Sequence, residues 1–219
     1  MMDAATNTSA DKHGKGAMWL RLLTGGAQPA HDWAAVKAVD AILAGQDARY
    51  IAVVPDPDNR FPRARNGEAG LVEGWQLARA VHEVMQLDRA AAVKRPIVAI
   101  IDVPSQAYGR REEAFGIHQA LAGAAGAYAQ ARQAGHPVIG LVVGLAMSGA
   151  FLAHGYQANR LIALDDPNVQ VHAMGKASAA RVTLRSVEAL EKLAASVPPM
   201  AYDVQSLDRK SGSAGMPRP

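Results

Sequence analysis

The sequence predicts an α/β fold with a mainly parallel sheet, and two features of the chain support this class. Short β-branched runs alternate with longer stretches of helix-forming residues. Two of these runs begin at a proline, Pro96 and Pro137, where the first amide of a strand is dispensable. Strands that alternate with helices are joined by crossover connections, which make neighbouring strands parallel.

The predicted elements follow one another in a regular order. The expected strands are RYIAVV, PIVAII, PVIGLVV and RLIAL, at 49–54, 96–101, 137–143 and 160–164. The expected helices lie near 32–44, at 71–92, 111–134 and 149–158, and near 186–195. Loops that follow parallel strands gather at one edge of the sheet, where ligands bind in such folds. We therefore expect the loops after Ile101 and Val143 to be neighbours and to form the site.

One domain is expected, over residues 18–203, between two disordered tails. A chain of 219 residues suits a single domain with a sizeable core. Residues 1–17 and 204–219 are polar and rich in small residues, with glycines and prolines in the second segment, which is typical of disordered termini.

Composition argues against several classes of function. The formal net charge of +3 is small and spread out, with no basic stripe of interleaved aromatics, so nucleic-acid binding is not expected. The lack of cysteine excludes disulfides and thiolate metal sites, and no metal site is predicted. The most apolar stretch, 138–153, is shorter than the about 20 residues of a membrane helix, and the amino terminus lacks a secretory signal. We expect a cytoplasmic protein that does not contact membranes.

A cluster of small residues follows the third predicted strand, at the start of a predicted helix. Ser148 suits the N-cap position, and the next amides, on Gly149 and Ala150, have no acceptor within the helix. Together with the helix dipole, these amides can bind an anionic oxygen, as in an oxyanion hole. The small side chains can also serve close packing of strand and helix, and this second interpretation is compatible with the first.

A third interpretation makes Ser148 a nucleophile. The segment AMSGA is a small-residue variant of the G-x-S-x-G elbow, and Asp165 or Asp166 and then His172 follow in hydrolase order. The short separation between Ser148 and Asp165 leaves little room for the strands that normally carry these partners. The spacing therefore argues against a serine hydrolase.

The segment 96–164, which runs from PIVAIIDVPSQAYG to SGAFLAHGYQANRLIAL, resembles a known family. It is similar to the carboxyltransferase subunits of acyl-CoA carboxylases, members of the crotonase-like superfamily. Those subunits carry a strand, an Asp-x-Pro-Gly loop, a helix, a second strand that begins at proline, and a glycine-rich loop that opens a helix. The resemblance extends over about residues 50–185.

The chain departs from the carboxyltransferase pattern in both loops. Ala146, Met147 and Ala150 stand where that pattern has extra glycines, and Ser105 and Gln106 stand where the other loop tends to have glycine. The surface that faces biotin in those relatives is therefore expected to differ here. This difference suits a decarboxylase that does not deliver a carboxyl group to biotin.

The segment VHAMGKASAARVT, at 171–183, and the short chain are similar to the gamma subunits of malonate decarboxylases. The resemblance implies a spiral of ββα units and a beta subunit of the same fold, which supplies an oxyanion hole for the thioester carbonyl. It implies a second hole in this chain, formed by the amides of Gly149 and Ala150 and an amide within 107–109. The implied substrate is a malonyl thioester on an acyl carrier subunit, whose CoA-derived prosthetic group is not bound directly by this chain.

Decarboxylation of a malonyl thioester needs no general base, because stabilising the enolate oxygen and orienting the carboxylate are enough to lower the barrier. A proton donor to the carbanion is needed, and His154 and Tyr156 are candidates alongside Tyr108. The candidate catalytic residues of the two loops are Tyr108, Gly109, Ser148, Gly149 and Ala150.

Candidate substrate contacts are Ala107, Gly144 and Lys176. Lys176 follows a glycine at a predicted helix start, where it either meets a carboxylate or phosphate or is an ordinary surface lysine. The loop at 55–70 offers three arginines that either hold phosphates of the prosthetic group or lie in solvent: Arg60, Arg63 and Arg65.

Three other classes of function stay open at this point. The same loops could serve a biotin-dependent carboxyltransferase subunit, which would require a biotinylated carrier for turnover. A scaffold subunit would use the small residues only for packing. A serine hydrolase would react at Ser148 with a fluorophosphonate probe.

Overall fold

The structure, a computed structural model, describes residues 10–197 and 200–206. The helices of this part are α1 (Ala10–Leu23), α2 (Leu71–Leu87), α3 (Arg110–Ala114), α4 (Ile117–Gln133), α5 (Ser148–Ala153), α6 (Lys176–Val182) and α7 (Val187–Ser196). The strands are β1 (Val36–Leu43), β2 (Gln46–Val53), β3 (Ile97–Val103), β4 (Val138–Met147), β5 (Arg160–Ala163) and β6 (Gln170–His172).

The six strands form one sheet in the order β1-β2-β3-β4-β5, and β6 also pairs with β4. Strands β2 to β6 are joined by parallel pairings, and only β1 runs antiparallel to its neighbour β2. The prediction of an α/β fold with a mainly parallel sheet is therefore confirmed.

Both faces of the sheet are covered, which explains why the strands read as continuous apolar runs. Alternate residues of β3, such as Ile101, join the core that also contains buried residues of α2 and α4. The intervening residues, such as Ile100, join a second cluster that includes Leu20 of α1. Helices therefore lie on both sides of the central strands.

The prediction of a helix near 32–44 is wrong, because the chain forms strand β1 there. Leu43 pairs with Gln46, so that only Ala44 and Gly45 connect β1 to β2. Both residues have positive φ, 51° and 84°, as a type I′ hairpin turn requires. The cross-strand pairing with β2 therefore outweighs the helix-forming composition of the segment.

Several helix boundaries also differ from the prediction. The helix expected at 71–92 ends at Leu87, and the one expected at 149–158 ends at Ala153. The helix expected at 111–134 divides into α3 and α4 at Gly116, whose φ is 82°. The helix expected near 186–195 is confirmed as α7, with Ser186 Oγ accepting from the Ala189 amide at 3.1 Å.

The predicted amino-terminal tail differs from the structure over residues 10–17. Helix α1 begins at Ala10, with a break at Gly14, and Ala17 packs against the second core cluster. The Gly16 amide donates to Asp102 Oδ2 at 3.2 Å, which ties this segment to β3. At the other end, Val204 packs against the main core, and residues 207–219 lie outside the described part of the chain.

No helix within the described residues is both long and apolar enough to span a membrane.

Candidate functional site

The loops after β3 and β4 meet, as predicted from the parallel sheet. The Gly149 amide, in the first turn of α5, donates a hydrogen bond of 3.0 Å to Gln106 Oε1 in the loop after β3. The register of the two strands brings them together, because Val103 at the end of β3 pairs with Ala146 near the end of β4. A backbone donor of one loop thus already binds an oxygen acceptor of the other.

Ser148 turns the chain sharply from β4 into α5. Its φ of 57° is left-handed, a conformation that costs a non-glycine residue about 1–3 kcal/mol. Its hydroxyl donates to the Ala173 carbonyl at 2.7 Å, before α6, and no side-chain cap bonds to the helix. The expected N-cap role of Ser148 is therefore wrong, because its hydroxyl is used to fasten another loop.

The strand-turn-helix geometry at Ser148 resembles that of a nucleophile elbow. A catalytic base does not accept from this serine, however, because the Ser148 hydroxyl donates to a backbone carbonyl. His172 stacks on the Tyr202 ring at 3.9 Å, and its Nδ1 lies 3.0 Å from the Met174 carbonyl. The geometry thus gives no support to the hydrolase interpretation.

Among the described residues, two of the three amides of the loop at 107–109 have a backbone acceptor. The Ala107 amide donates to the Ala69 carbonyl at 2.8 Å, and the Tyr108 amide donates to the Gln106 carbonyl at 2.9 Å. Within the described residues, the Gly109 amide has no such acceptor. The Ala107 amide is therefore not free to contact a substrate. The Gly109 amide is the donor that this loop can offer.

Gly109 is hemmed in by charged side chains. A Cβ atom on it would lie 2.5 Å from Glu112 Oε2 and 2.9 Å from Arg63 Nε. The glycine therefore allows these two side chains to approach the loop backbone. Tyr108 beside it is 53% exposed, so that its phenol faces outward.

His154 is excluded as a proton donor. It is fully buried at the end of α5, with Nε2 2.9 Å from the Ile100 carbonyl and Nδ1 3.0 Å from Tyr128 Oη. A carbonyl only accepts, so Nε2 carries the hydrogen and Nδ1 accepts from the Tyr128 hydroxyl. Burial lowers the pKa of His154 to about 4, which keeps the ring neutral.

His154 is expected to make the protein less stable in mild acid. Its pKa falls from 6.5 to about 4 on folding, so the unfolded chain binds a proton in this window that the folded chain refuses. The free energy of unfolding should therefore drop as the pH falls through this window, by an amount approaching 3 kcal/mol, roughly, from this residue. Urea denaturation at pH 7, 6 and 5 measures the effect.

His154→Gln is the control, because an amide keeps one donor and one acceptor and does not titrate. This variant should be less stable than wild type at pH 7, and the difference should shrink towards pH 5. A difference that stays constant across this range would contradict the assignment.

The structure explains why residue 144 is a glycine, and the reason differs from the predicted substrate contact. A Cβ atom on it would lie 2.0 Å from Asp102 Oδ1. That oxygen accepts from the Leu145 amide at 3.0 Å, while Oδ2 binds the Gly16 amide. The missing side chain thus makes room for the Asp102 carboxylate, which joins β3, β4 and α1.

Lys176 begins α6 as predicted, but its charge is met within the chain. Its Nζ donates to Glu191 Oε1 at 2.7 Å and lies 5.6 Å from the centre of the Tyr202 ring. In the loop at 55–70, Arg65 Nε donates to the Asn59 carbonyl at 3.0 Å, so that Arg65 fastens the loop. Neither side chain is left as an obvious phosphate ligand.

Two residues that matter here were not proposed as site residues from the sequence. The sequence marks Gln106 only as a departure from glycine and assigns no site role to Asp102. The Asp-x-Pro sequence at the end of a buried strand was the available signal for Asp102. Across residues 10–197 and 200–206, no group of three or more His, Asp or Glu side chains could hold a metal ion.

The parallel sheet, its antiparallel hairpin and the two joined strand-exit loops form the crotonase-like fold, the fold class of carboxyltransferases. Transcarboxylase 12S, in a crystal structure with hydrolysed methylmalonyl-coenzyme A bound, shares this fold at 20% identity and a TM-score of 0.62. The match covers 80% of this chain and 32% of that chain.

The chain belongs to the malonate decarboxylase gamma subunit family, whose sequence model matches residues 64–213. A Pseudomonas malonate decarboxylase MdcD–MdcE hetero-dimer contains a chain 66% identical to it, with a TM-score of 0.84. That match covers 89% of this chain and 75% of the other. The malonyl-S-ACP:biotin-protein carboxyltransferase MADD of Malonomonas rubra is 38% identical over 165 residues, which are 74% of this chain. The match spans 56% of the length of this curated relative.

Proposed function

We propose that the chain is one half of a heteromeric decarboxylase that converts a malonyl thioester to an acetyl thioester and CO2. The partner is a malonate decarboxylase beta subunit of the same fold, and the thioester is carried by an acyl carrier subunit. Membership of the gamma subunit family supports this, as do the hetero-dimer of the similar Pseudomonas enzyme and the malonyl-S-ACP in the name of the Malonomonas relative.

One observation carries the proposal at the level of the site, namely the bond from the Gly149 amide to Gln106 Oε1. The Gln106 side-chain oxygen occupies the position that we assign to an anionic oxygen of the substrate. The Gly149 amide therefore already has the geometry of a donor to such an oxygen. Substrate binding then requires the Gln106 side chain to turn away.

The reaction needs charge stabilisation more than a catalytic side chain. The bond between the carboxylate carbon and Cα breaks, its electron pair passes into the thioester enolate, and CO2 leaves. The beta subunit stabilises the enolate oxygen, while the amides of Gly149 and Gly109 hold the leaving carboxylate out of the thioester plane. Ala150, the third expected donor, is fully buried in the main core, so its amide is not exposed to a substrate. One preorganised donor of this kind contributes about 3 kcal/mol.

The enolate must then take a proton on carbon. Tyr108 and Tyr156 are the candidates that the structure leaves, since both are about half exposed, at 53% and 52%, and His154 is buried. Tyr108 belongs to the same loop as Gly109. Tyr156 follows α5 and stands edge-on to Phe151 at 5.3 Å.

In this proposal the carrier bears a CoA-derived prosthetic group that supplies the thioester, and this chain does not bind the group directly. We place the reaction in the cytoplasm, which rests on the sequence-based expectation.

A biotin-dependent carboxyltransferase subunit is the second candidate. The name of the Malonomonas relative, a biotin-protein carboxyltransferase, favours it. In that reaction the carboxyl group passes to biotin instead of leaving as CO2. Gln106 argues for the decarboxylase, because its side chain fills space in the loop that a glycine would leave open.

Reconstitution separates the two candidates. The chain, co-expressed with the beta subunit, is supplied with malonyl thioester on the carrier subunit, and CO2 release is measured with and without a biotinylated carrier. We expect release without biotin, and no turnover by the gamma chain alone. Release that depends on the biotinylated carrier would favour the second candidate. Turnover by the chain alone at the rate of the complex would contradict the shared site.

A further inference from the structure

A cavity of about 490 Å³ lies beside the first turns of α2, outside the site described above. Its size is in the range of small-molecule sites. Leu71 and Val72 contribute apolar wall. The other lining residues are two arginines, three aromatic residues and a glutamine: Arg60, Phe61, Trp75, Gln76, Arg111 and Phe115.

The aromatic side chains of this cavity are unusually open to solvent. Phe115 is 64% exposed and Trp75 is 53% exposed, although Phe61 between them and the core is buried. Phe61 and Phe115 stand edge to face, with ring centres 6.4 Å apart. Exposed rings at a concave surface are typical of sites that bind a flat apolar group.

The charge in the cavity is positive. The guanidinium groups of Arg60 and Arg111 lie 5.0 and 5.2 Å from the centre of the Phe61 ring. In the part of the chain that the structure describes, neither forms an ion pair with a carboxylate. Guanidinium groups without a carboxylate partner suit the oxygens of a phosphate, which they can bind in bidentate fashion.

Gln76 adds an unsatisfied acceptor. Its side-chain oxygen is buried and has no hydrogen-bond partner among the described residues. A buried polar atom without a partner is costly, and in native structures it points to a missing group. A ligand with an N–H donor would supply the absent bond.

We propose that this cavity binds a planar aromatic anion that carries an exocyclic amine donor, for which a free purine mononucleotide such as adenosine 5′-monophosphate has the required chemistry. The ring stacks against Trp75 and Phe115, the exocyclic amine donates to Gln76, and the phosphate binds Arg60 and Arg111. The proposal does not rest on the decarboxylase function, because binding needs neither malonyl thioester nor turnover.

The cavity is joined to the loop of Gly109 through a shared set of buried side chains. Phe61 and Leu71 of its wall belong to the same apolar cluster as Ala107. Arg111 and Phe115 belong to the segment that directly follows Gly109. An occupied cavity would therefore hold the segment next to the proposed site in place.

Adenosine 5′-monophosphate is the probe, titrated calorimetrically into the full chain and into its complex with the beta subunit. We expect saturable binding to both, with adenosine and inorganic phosphate each weaker by about tenfold or more, since each lacks half of the contacts. Arg60→Gln and Arg111→Gln should each weaken binding by about tenfold. Arg89 is an exposed arginine beyond the other end of α2, so Arg89→Gln is the matched control and should bind normally.

Tryptophan fluorescence supplies a second readout. The nucleotide should quench the fluorescence of the wild-type chain, and Trp75→Phe should abolish the quenching while keeping a ring to stack on. Absence of binding at millimolar nucleotide would overturn the proposal. So would equal affinity in the Arg60→Gln and Arg111→Gln variants, or binding to the free chain that is lost in the complex, since the cavity would then belong to the subunit interface.

Discussion

Gly149→Val is expected to slow decarboxylation by the assembled complex by roughly 100- to 1000-fold, the usual loss for one missing oxyanion donor. The amide of Gly149 is the donor that the structure shows facing an oxygen, Gln106 Oε1, at 3.0 Å. A β-branched side chain would stand beside that amide and keep a carboxylate oxygen from reaching it. The rate of CO2 release from malonyl thioester on the carrier measures the loss.

Gly149→Ala is the matched control. A Cβ atom there would lie 3.4 Å from Gln106 Oε1, an ordinary contact, and the positive φ of this turn belongs to Ser148 and not to Gly149. The alanine variant should therefore fold and assemble without backbone strain, with a smaller loss of rate. Near-normal turnover by a correctly assembled Gly149→Val complex would end the assignment of this amide to the anion hole.

Gly144→Ala, a change within strand β4, should have a larger effect on stability than the glycine variants of the two loops. Its Cβ atom would overlap the Asp102 carboxylate, at 2.0 Å from Oδ1 and 2.6 Å from Cγ. Asp102 would have to leave the amides of Leu145 and Gly16, which it now accepts from. We expect a loss of about 3 kcal/mol in the free energy of unfolding, at the upper end of overpacking effects because hydrogen bonds are lost as well. Urea denaturation of the chain measures it.

Two further variants separate this overlap from a general effect of alanine. Gly126 lies within α4 with no atom within 4 Å of an added Cβ, so Gly126→Ala should raise stability by about 1 kcal/mol. In an Asp102→Ala background the overlap is gone, so that Gly144→Ala should cost much less there. If Gly144→Ala leaves stability unchanged and only raises KM, Gly144 is a substrate contact, as its position in the sequence first suggested.

The parallel part of the sheet can be predicted from the sequence. Buried strands such as β3 and β4 carry apolar residues on both faces, and their periodicity with the intervening helix is visible in the chain. The prediction misses strand β1 because its segment is rich in helix formers. Strand β2 is predicted from its apolar run at 49–54, but its pairing with β1 depends on the Ala44–Gly45 turn. That turn lacks the asparagine or aspartate that usually marks such hairpins.

The site could be located from the sequence, but its contacts could not. That the two loops meet follows from parallel strands alone, and the amide of Gly149 was proposed on the position of its helix. The roles of Gln106 and Asp102 depend on contacts across more than forty residues, which no local pattern encodes. His154 looked like a candidate proton donor because burial, which decides its protonation, cannot be seen in the chain.

Helix α5 is fastened at both ends, whereas the acceptor that meets its first turn is a single side chain of another loop. His154 fastens the end of the helix to the Ile100 carbonyl of β3, and Ser148 fastens its start to Ala173. The backbone N–H of Gly149, which lies between these two attachments, is therefore oriented before any substrate binds. Gln106, by contrast, accepts from this N–H with a single flexible side chain. If a substrate oxygen binds this amide as we propose, it replaces the Gln106 oxygen after one rotamer change, at a donor that the two fastened helix ends already orient.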